Sequence, residues 1–275
     1  MPNPASSDTP SAPPALPPRT LKQRIARALP WVVTLGVFAY LFLTVDLRAV
    51  GRGFAHAPAW FIPAVGGLVA LAFVADTFAA WKTFSWFCAP ITFGETMLVR
   101  GSAYLIGLIN YTVGQGAFAY FLHRTRGVTL VRCAATVLLV MGINLIALLL
   151  LVTLGLVTGR NTIAALGPVA ALLWVGLAVY AVVVSLKPTW LAKRPLFDVL
   201  LGAGLGGHVR SLLVRLPHVA VLVAFSFLNL RAFGIDVPLV DALLLLPVVY
   251  FVSVLPISVQ GLGTGQATMV LLFQK

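Results

Sequence analysis

The sequence predicts an all-α, polytopic transmembrane helix bundle, and three observations carry that prediction. Of its 275 residues, 60% are hydrophobic and only 9% are charged. A soluble domain carries roughly 25% charged residues, so this chain has too few to solvate an ordinary surface. Several stretches supply the about 20 mostly apolar residues that a crossing helix needs, and the mean hydropathy is +1.01. The Lys and Arg residues stand in short clusters between apolar runs, as in cytoplasmic loops of membrane proteins. The net charge of +12 is therefore not the one-faced basic patch that nucleic-acid binding requires, and no nucleic-acid partner is expected.

Residues 1–18 are rich in Pro, Ser, Thr and Ala without an apolar period, and read as a disordered tail that cannot bury a core. In 19–29, Arg19, Lys22, Arg24 and Arg27 punctuate Leu21, Ile25 and Leu29. That pattern predicts a short basic amphipathic helix on anionic headgroups. No small-residue cleavage site follows, so the first apolar run reads as a retained anchor and not a signal peptide.

The transmembrane domain covers 30–275. Its candidate spans are Leu29–Val45, Trp60–Trp81, Cys133–Val157, Ile163–Leu186 and Leu212–Leu230. Two further apolar stretches are broken. Met97–Leu122 carries Asn110, Gly114, Gln115 and Gly116. Leu239–Phe273 is longer than one crossing and is interrupted by Pro247, Pro256, Gly261, Gly263 and Gly265. Pro removes a backbone donor and Gly weakens a helix, so neither stretch reads as one continuous helix.

Charge orders these pieces. The basic N-terminus is expected in the cytoplasm of a cell-membrane protein. Asp46–Ala57 then falls outside and Lys82 inside. The basic loop His123–Arg132 also belongs inside, so Met97–Leu122 is expected to enter and leave from one face. Arg160 falls outside, and the loop carrying Lys187, Lys193, Arg194, Arg210 and Arg215 falls inside. The order span, span, re-entrant, span (about 30–158) then repeats upside down over about 163–275, as in inverted-repeat transporters. The second copy lacks its last helix, which reads as a C-terminal truncation.

The chemistry is expected at the two breaks. Half-helix ends at membrane depth must be buried in protein or line a cavity, and helix N-termini favour anions such as phosphate. Asn110, Gly114, Gln115 and Gly116 at the first tip are therefore expected to meet Ser258, Gln260, Gly261, Gly263 and Gln266 at the second near the midplane, with Arg100 and Arg124 at the cytoplasmic mouth. The alternative is that these glycines permit close packing and the amides bond between helices. Asp76 and Arg100 lie at similar depth. They are candidates for a buried ion pair, with headgroup contact or snorkelling of Arg100 as the other readings. Asn144 reads as an interhelical hydrogen bonder. Cys88 and Cys133 read as reduced thiols on the cytoplasmic side. The glycines of 202–207 read as a flexible connector in a loop. The four histidines show no metal spacing, and there is no catalytic triad, P-loop or dinucleotide fingerprint. No cofactor, metal or enzymatic activity is expected.

Leu105 to Val128, with Asn110, Gly114, Gly116 and the exit His123-Arg124-Thr125-Arg126-Gly127, resembles a motif of the lysylphosphatidylglycerol synthase transmembrane region, a flippase-like family. Leu255-Pro256-Ile257-Ser258 followed by Gly261-Leu262-Gly263 is similar to the family's Leu-Pro-Ile-Ser and Gly-Leu-Gly elements. The likeness runs from about residue 30 to the end. Two departures stand out. Gln115 replaces the family's acidic residue after the first Gly, and Gly265-Gln266 stands in place of its Arg-Glu, so coupling through those carboxylates does not carry over. The resemblance implies flipping of a lipid or lipid-linked substrate, with anionic phospholipid as the natural partner. A non-transporting membrane subunit that anchors or regulates a lipid- or glycan-modifying enzyme is the alternative, and a homo-oligomer or such an enzyme would be its partner.

Overall fold

The computed structural model describes residues 58–107, 111–158, 166–254 and 263–273, with isolated positions between 32 and 51. These regions are all-helical: α1 (Phe61–Phe87), α2 (Phe93–Gly107), α3 (Tyr111–Arg126), α4 (Leu130–Thr158), α5 (Leu166–Leu186), the single turn α6 (Thr189–Ala192), α7 (Pro195–Ala232), α8 (Leu239–Val254) and α9 (Thr264–Phe273). Four segments are long and apolar enough to cross a membrane: Phe61–Phe87, Leu130–Val157, Gly167–Leu186 and Pro195–Ala232. The tail, the amphipathic segment, the loop at 159–165 and most of the first expected span lie outside the described residues.

The centre of the bundle is α1, α4 and α7. Both α1 and α4 pack on α7 along much of their length. Contacts along α1 and α7 fix an antiparallel register: the Phe61 ring meets Phe233 at 5.4 Å, the carbonyl of Ala72 meets His218, and Phe87 meets the Gly207 backbone. At one end of the bundle Arg132 Nε donates to the carbonyl of Phe87 at 3.2 Å. Nearby the Cys88 and Cys133 sulfurs lie 3.5 Å apart, both as free thiols.

Helix α7 corrects the expected loop. Arg210 and Arg215 are not in a loop but helical, within a 38-residue element made of two helices that meet in a kink at Gly204, where φ is 60° and ψ is 178°, so of the expected connector at 202–207 only this break remains. A left-handed conformation there suits a residue without a Cβ. The helix that follows the kink carries Arg210 and Arg215 and packs closely on α1. Gly207 illustrates this: a Cβ there would stand 2.8 Å from the Phe87 ring.

The two broken stretches form two helix pairs. α2 and α3 are antiparallel arms, joined at one end by the Glu95–Arg126 ion pair and pressed together near the other at Gly114. A Cβ on Gly114 would fall 2.6 Å from the carbonyl oxygen of Ala103 and 2.8 Å from Gly107 Cα. α8 and α9 likewise pack on each other, with Gly265 against Ser253. α8 in turn lies on α4, where Gly155 admits the Leu244 backbone.

Two outcomes follow from this packing. A Cβ at Gly155 would lie 2.6 Å from Leu244 Cα, backbone that cannot rotate away. Gly155→Ala should therefore cost about 1–3 kcal/mol, seen as a lower unfolding temperature in detergent, whereas Gly142→Ala should be neutral because nothing lies within 4 Å of the added methyl. The second outcome concerns the start of α2, where Thr92 and Glu95 form a reciprocal capping box. The Thr92 N–H and hydroxyl donate to Glu95 Oε2 at 2.8 and 2.9 Å, and the Glu95 N–H donates to the Thr92 hydroxyl at 3.3 Å. The Thr92 backbone N–H, then Arg126 and the Thr92 hydroxyl, push the Glu95 carboxyl down from 4.5 to about 2. Because the folded value is the lower one, this clasp stabilises fully above about pH 4.5 and is lost as pH falls through about 2. An NMR titration of the Glu95 carboxyl should find its midpoint near 2 and return it toward 4.5 in Thr92→Ala.

Candidate functional site

The middle of the bundle holds a buried charge cluster built from four helices. Asp76 lies in the middle third of α1, Asn144 in that of α4 and Arg215 in that of α7. Arg100 and Tyr104, one turn apart on α2, reach in from the side. Asp76 is fully buried, and Arg100 and Arg215 are each 6% exposed.

Asp76 accepts from every direction. Arg100 Nε donates to Oδ2 at 2.5 Å and Arg100 Nη2 to Oδ1 at 3.2 Å. Tyr104 Oη donates to Oδ2 at 2.7 Å. Arg215 Nη1 donates to Oδ1. A carboxylate offers about four acceptor sites, and here four donors take them. The guanidiniums also reach neutral amides: Arg100 Nη1 donates to Gln115 Oε1 at 3.3 Å, and Arg215 Nε to Asn144 Oδ1 at 3.1 Å. Among the described residues, two cations on one anion leave one unit of positive charge in excess. Arginine forks suit phosphate and carboxylate, which they grip in two-point fashion, so the arrangement is chemically suited to an anion. Among the described residues no group of three or more His, Cys, Asp or Glu could hold a metal ion.

Arg215 belongs to a longer feature. His208, Ser211, Arg215 and His218 recur at spacings of three, four and three along α7, which places them on one helix face. All four are buried. Tyr180 Oη lies 2.7 Å from His208 Nε2, and His218 Nδ1 lies 3.0 Å from the carbonyl oxygen of Ala72. The hydroxyl of Ser211, between His208 and Arg215, has no hydrogen-bond partner, and neither has that of Thr77 beside Asp76.

The sequence-based candidates divide into three groups. Arg100 and Gln115 join the cluster, with Asp76 as the carboxylate between the two arginines. Gly114 is buried at the α2–α3 contact, while Gly116 and Arg124 are exposed on α3. Gly263, at φ 86°, donates its N–H to Gln266 Oε1 at 2.7 Å, so Gln266 caps the start of its own helix. Asn110, Ser258, Gln260 and Gly261 lie outside the described residues, so of the two tips expected to meet only Gly114–Gly116 and Gly263–Gln266 are described. Among the described residues the arms of the two pairs share no extensive packing.

Sequence reasoning missed Arg215, Tyr104, His208 and His218 as site residues. The charge-based map assigned Arg215 to a loop. The signal was present nonetheless: four polar residues at helical spacing, Arg215 and His218 among them, directly before an apolar run.

Removing Asp76 would leave two buried guanidiniums facing each other. Asp76→Asn should cost about 3–5 kcal/mol, read as loss of unfolding temperature in detergent. Arg215→Gln should recover part of that loss in the double variant. Additive losses would mean the two residues are energetically independent.

No curated protein and no solved structure matches the chain. The family model for the lysylphosphatidylglycerol synthase TM region matches residues 27–274, nearly the whole chain, in agreement with the motif resemblance and with a multi-pass helical bundle. This protein belongs to the lysylphosphatidylglycerol synthase transmembrane-region family.

Proposed function

We propose that this protein moves a lipid or lipid-linked substrate with an anionic headgroup between the leaflets of the cytoplasmic membrane, without catalysing a reaction on it. One observation carries the reading. Arg100 and Arg215 are buried on a single carboxylate at the middle depth of membrane helices. Ionisable residues at such depth are costly and are kept for substrate or ion pathways. An arriving phosphate would compete with Asp76 for one guanidinium, while Gln115 and Asn144 hold the arginines in place.

The helix pairs support the same reading. α2 and α3 have 15 and 16 residues, about 23 Å each, short of the roughly 30 Å hydrocarbon core. We read α2–α3 as entering and leaving at the cytoplasmic face, where Glu95 and Arg126 stand together, and α8–α9 as its counterpart from the opposite face, with the N-terminus inside. Discontinuous helices of this kind bring polar backbone to the midplane in transporters. The two departures from the family pattern do not weaken the site, since it draws on Asp76 and two arginines and not on an acidic residue at Gln115 or Gln266.

The test is reconstitution into vesicles carrying fluorescent phosphatidylglycerol, phosphatidylcholine or a lipid-linked sugar in both leaflets, with an impermeant quencher added outside. Accelerated loss of the inner-leaflet signal for an anionic lipid is expected, with at least a tenfold decrease in Arg215→Gln and Arg100→Gln. Rates equal to protein-free vesicles for every lipid would refute transport and favour the role of an anchoring or regulatory subunit.

A further inference from the structure

A cavity of about 450 Å³ opens between α4, α5, α7 and α8, and its walls are almost entirely apolar. Gly142 on α4 and Gly176 on α5 both line it, and a Cβ on either would meet nothing within 4 Å. The missing side chains therefore leave space in the cavity. Its volume lies within the roughly 300–1,000 Å³ of small-molecule sites.

The cavity has polar lining at Tyr180 and His208, which are hydrogen-bonded to each other. His208 also begins the buried stripe that leads through Ser211 to Arg215. Arg215 stands seven positions after His208, about 10 Å along the helix axis. Midway stands the Ser211 hydroxyl, 1% exposed and without a partner. An apolar chamber lined by Tyr180 and His208 thus stands beside a buried polar strip of α7, in which His208 Nδ1 donates to the carbonyl of Gly204 at 2.7 Å and the Ser211 hydroxyl is left to serve a ligand on the way to Arg215.

We propose that this cavity holds one hydrocarbon chain of an anionic phospholipid. The lipid's glycerol region lies against Tyr180, an ester oxygen accepts from the Ser211 hydroxyl, and its phosphate turns toward Arg215. Three of its walls, α4, α5 and α7, are helices long and apolar enough to cross a membrane, so the chain enters from the surrounding bilayer. The charge at Arg215 selects an anion at the other end. The proposal rests on the anionic-lipid reading of the arginine cluster and adds where the tail of that lipid goes.

The experiment uses the purified full chain in nanodiscs containing phosphatidylglycerol with a diazirine near the middle of one acyl chain, with labelled peptides mapped by mass spectrometry. Labelling is expected on α4 and α5 around positions 142 and 176. It should fall at least tenfold in Gly142→Leu and in Gly176→Leu, which fill open space and should elute as the wild type does on size exclusion. Unlabelled phosphatidylglycerol should compete at least tenfold better than phosphatidylcholine, and Ser211→Val should reduce that preference. Labels spread evenly over the lipid-facing surface, or unchanged by both leucine variants, would overturn the proposal, and so would equal competition by the two lipids. The vesicle assay separates this from the transport reading. Cavity labelling without translocation would refute transport alone, and translocation without cavity labelling would refute the tail site alone.

Discussion

A single carboxylate holds the centre of this bundle. Asp76 is the shared acceptor for guanidiniums from α2 and α7 and for the Tyr104 hydroxyl. Charges in a low-dielectric interior are tolerated only when paired and hydrogen-bonded, so each arginine constrains where its helix can stand. α2 cannot slide along α1 without stranding Arg100, and α7 cannot rotate without stranding Arg215. Apolar packing in a membrane has little directional preference, because lipid tails are as apolar as leucine. The polar cluster supplies the register that hydrophobic contact cannot.

Small residues then set how close the helices come. Gly114 brings α3 onto α2, Gly155 brings α8 onto α4, and Gly207 brings α7 against Phe87 of α1. The close approach at Gly114 accounts for that glycine without a ligand, whereas Gln115, the next residue, reaches Arg100. Neighbouring positions of one motif thus carry different duties. Gly142 and Gly176 show the opposite behaviour, since their missing side chains leave room unfilled.

Much of the fold was legible because membrane physics writes it into composition. Apolar runs of crossing length marked α1, α4 and α5, and the broken runs marked the two helix pairs. Asp76 and Arg100 stood out as ionisable residues among apolar neighbours. Arg215 did not, because a charge rule that counts Lys and Arg near helix ends cannot tell a loop arginine from a buried one. Nor could local propensity reveal that helix extends on both sides of a single break at Gly204, since the packing that sustains the second part comes from α1. The amides at the expected tips had similar chemistry to one another, yet only tertiary structure separates Gln115, on an arginine, from Gln266, on its own helix end.

The unbalanced charge at the centre has an electrical consequence. A unit charge moved across the full membrane potential changes in energy by about 2.3 kcal/mol per 100 mV, and the arginine cluster stands at the middle third of the long helices α1 and α7. With the site empty, a rearrangement that carries the cluster toward either face moves net charge and is biased by voltage. With a monovalent anion bound, the same rearrangement moves a neutral unit and voltage has little hold on it. In the proposed transport, membrane polarisation would then act on the return of the empty protein and not on the loaded step.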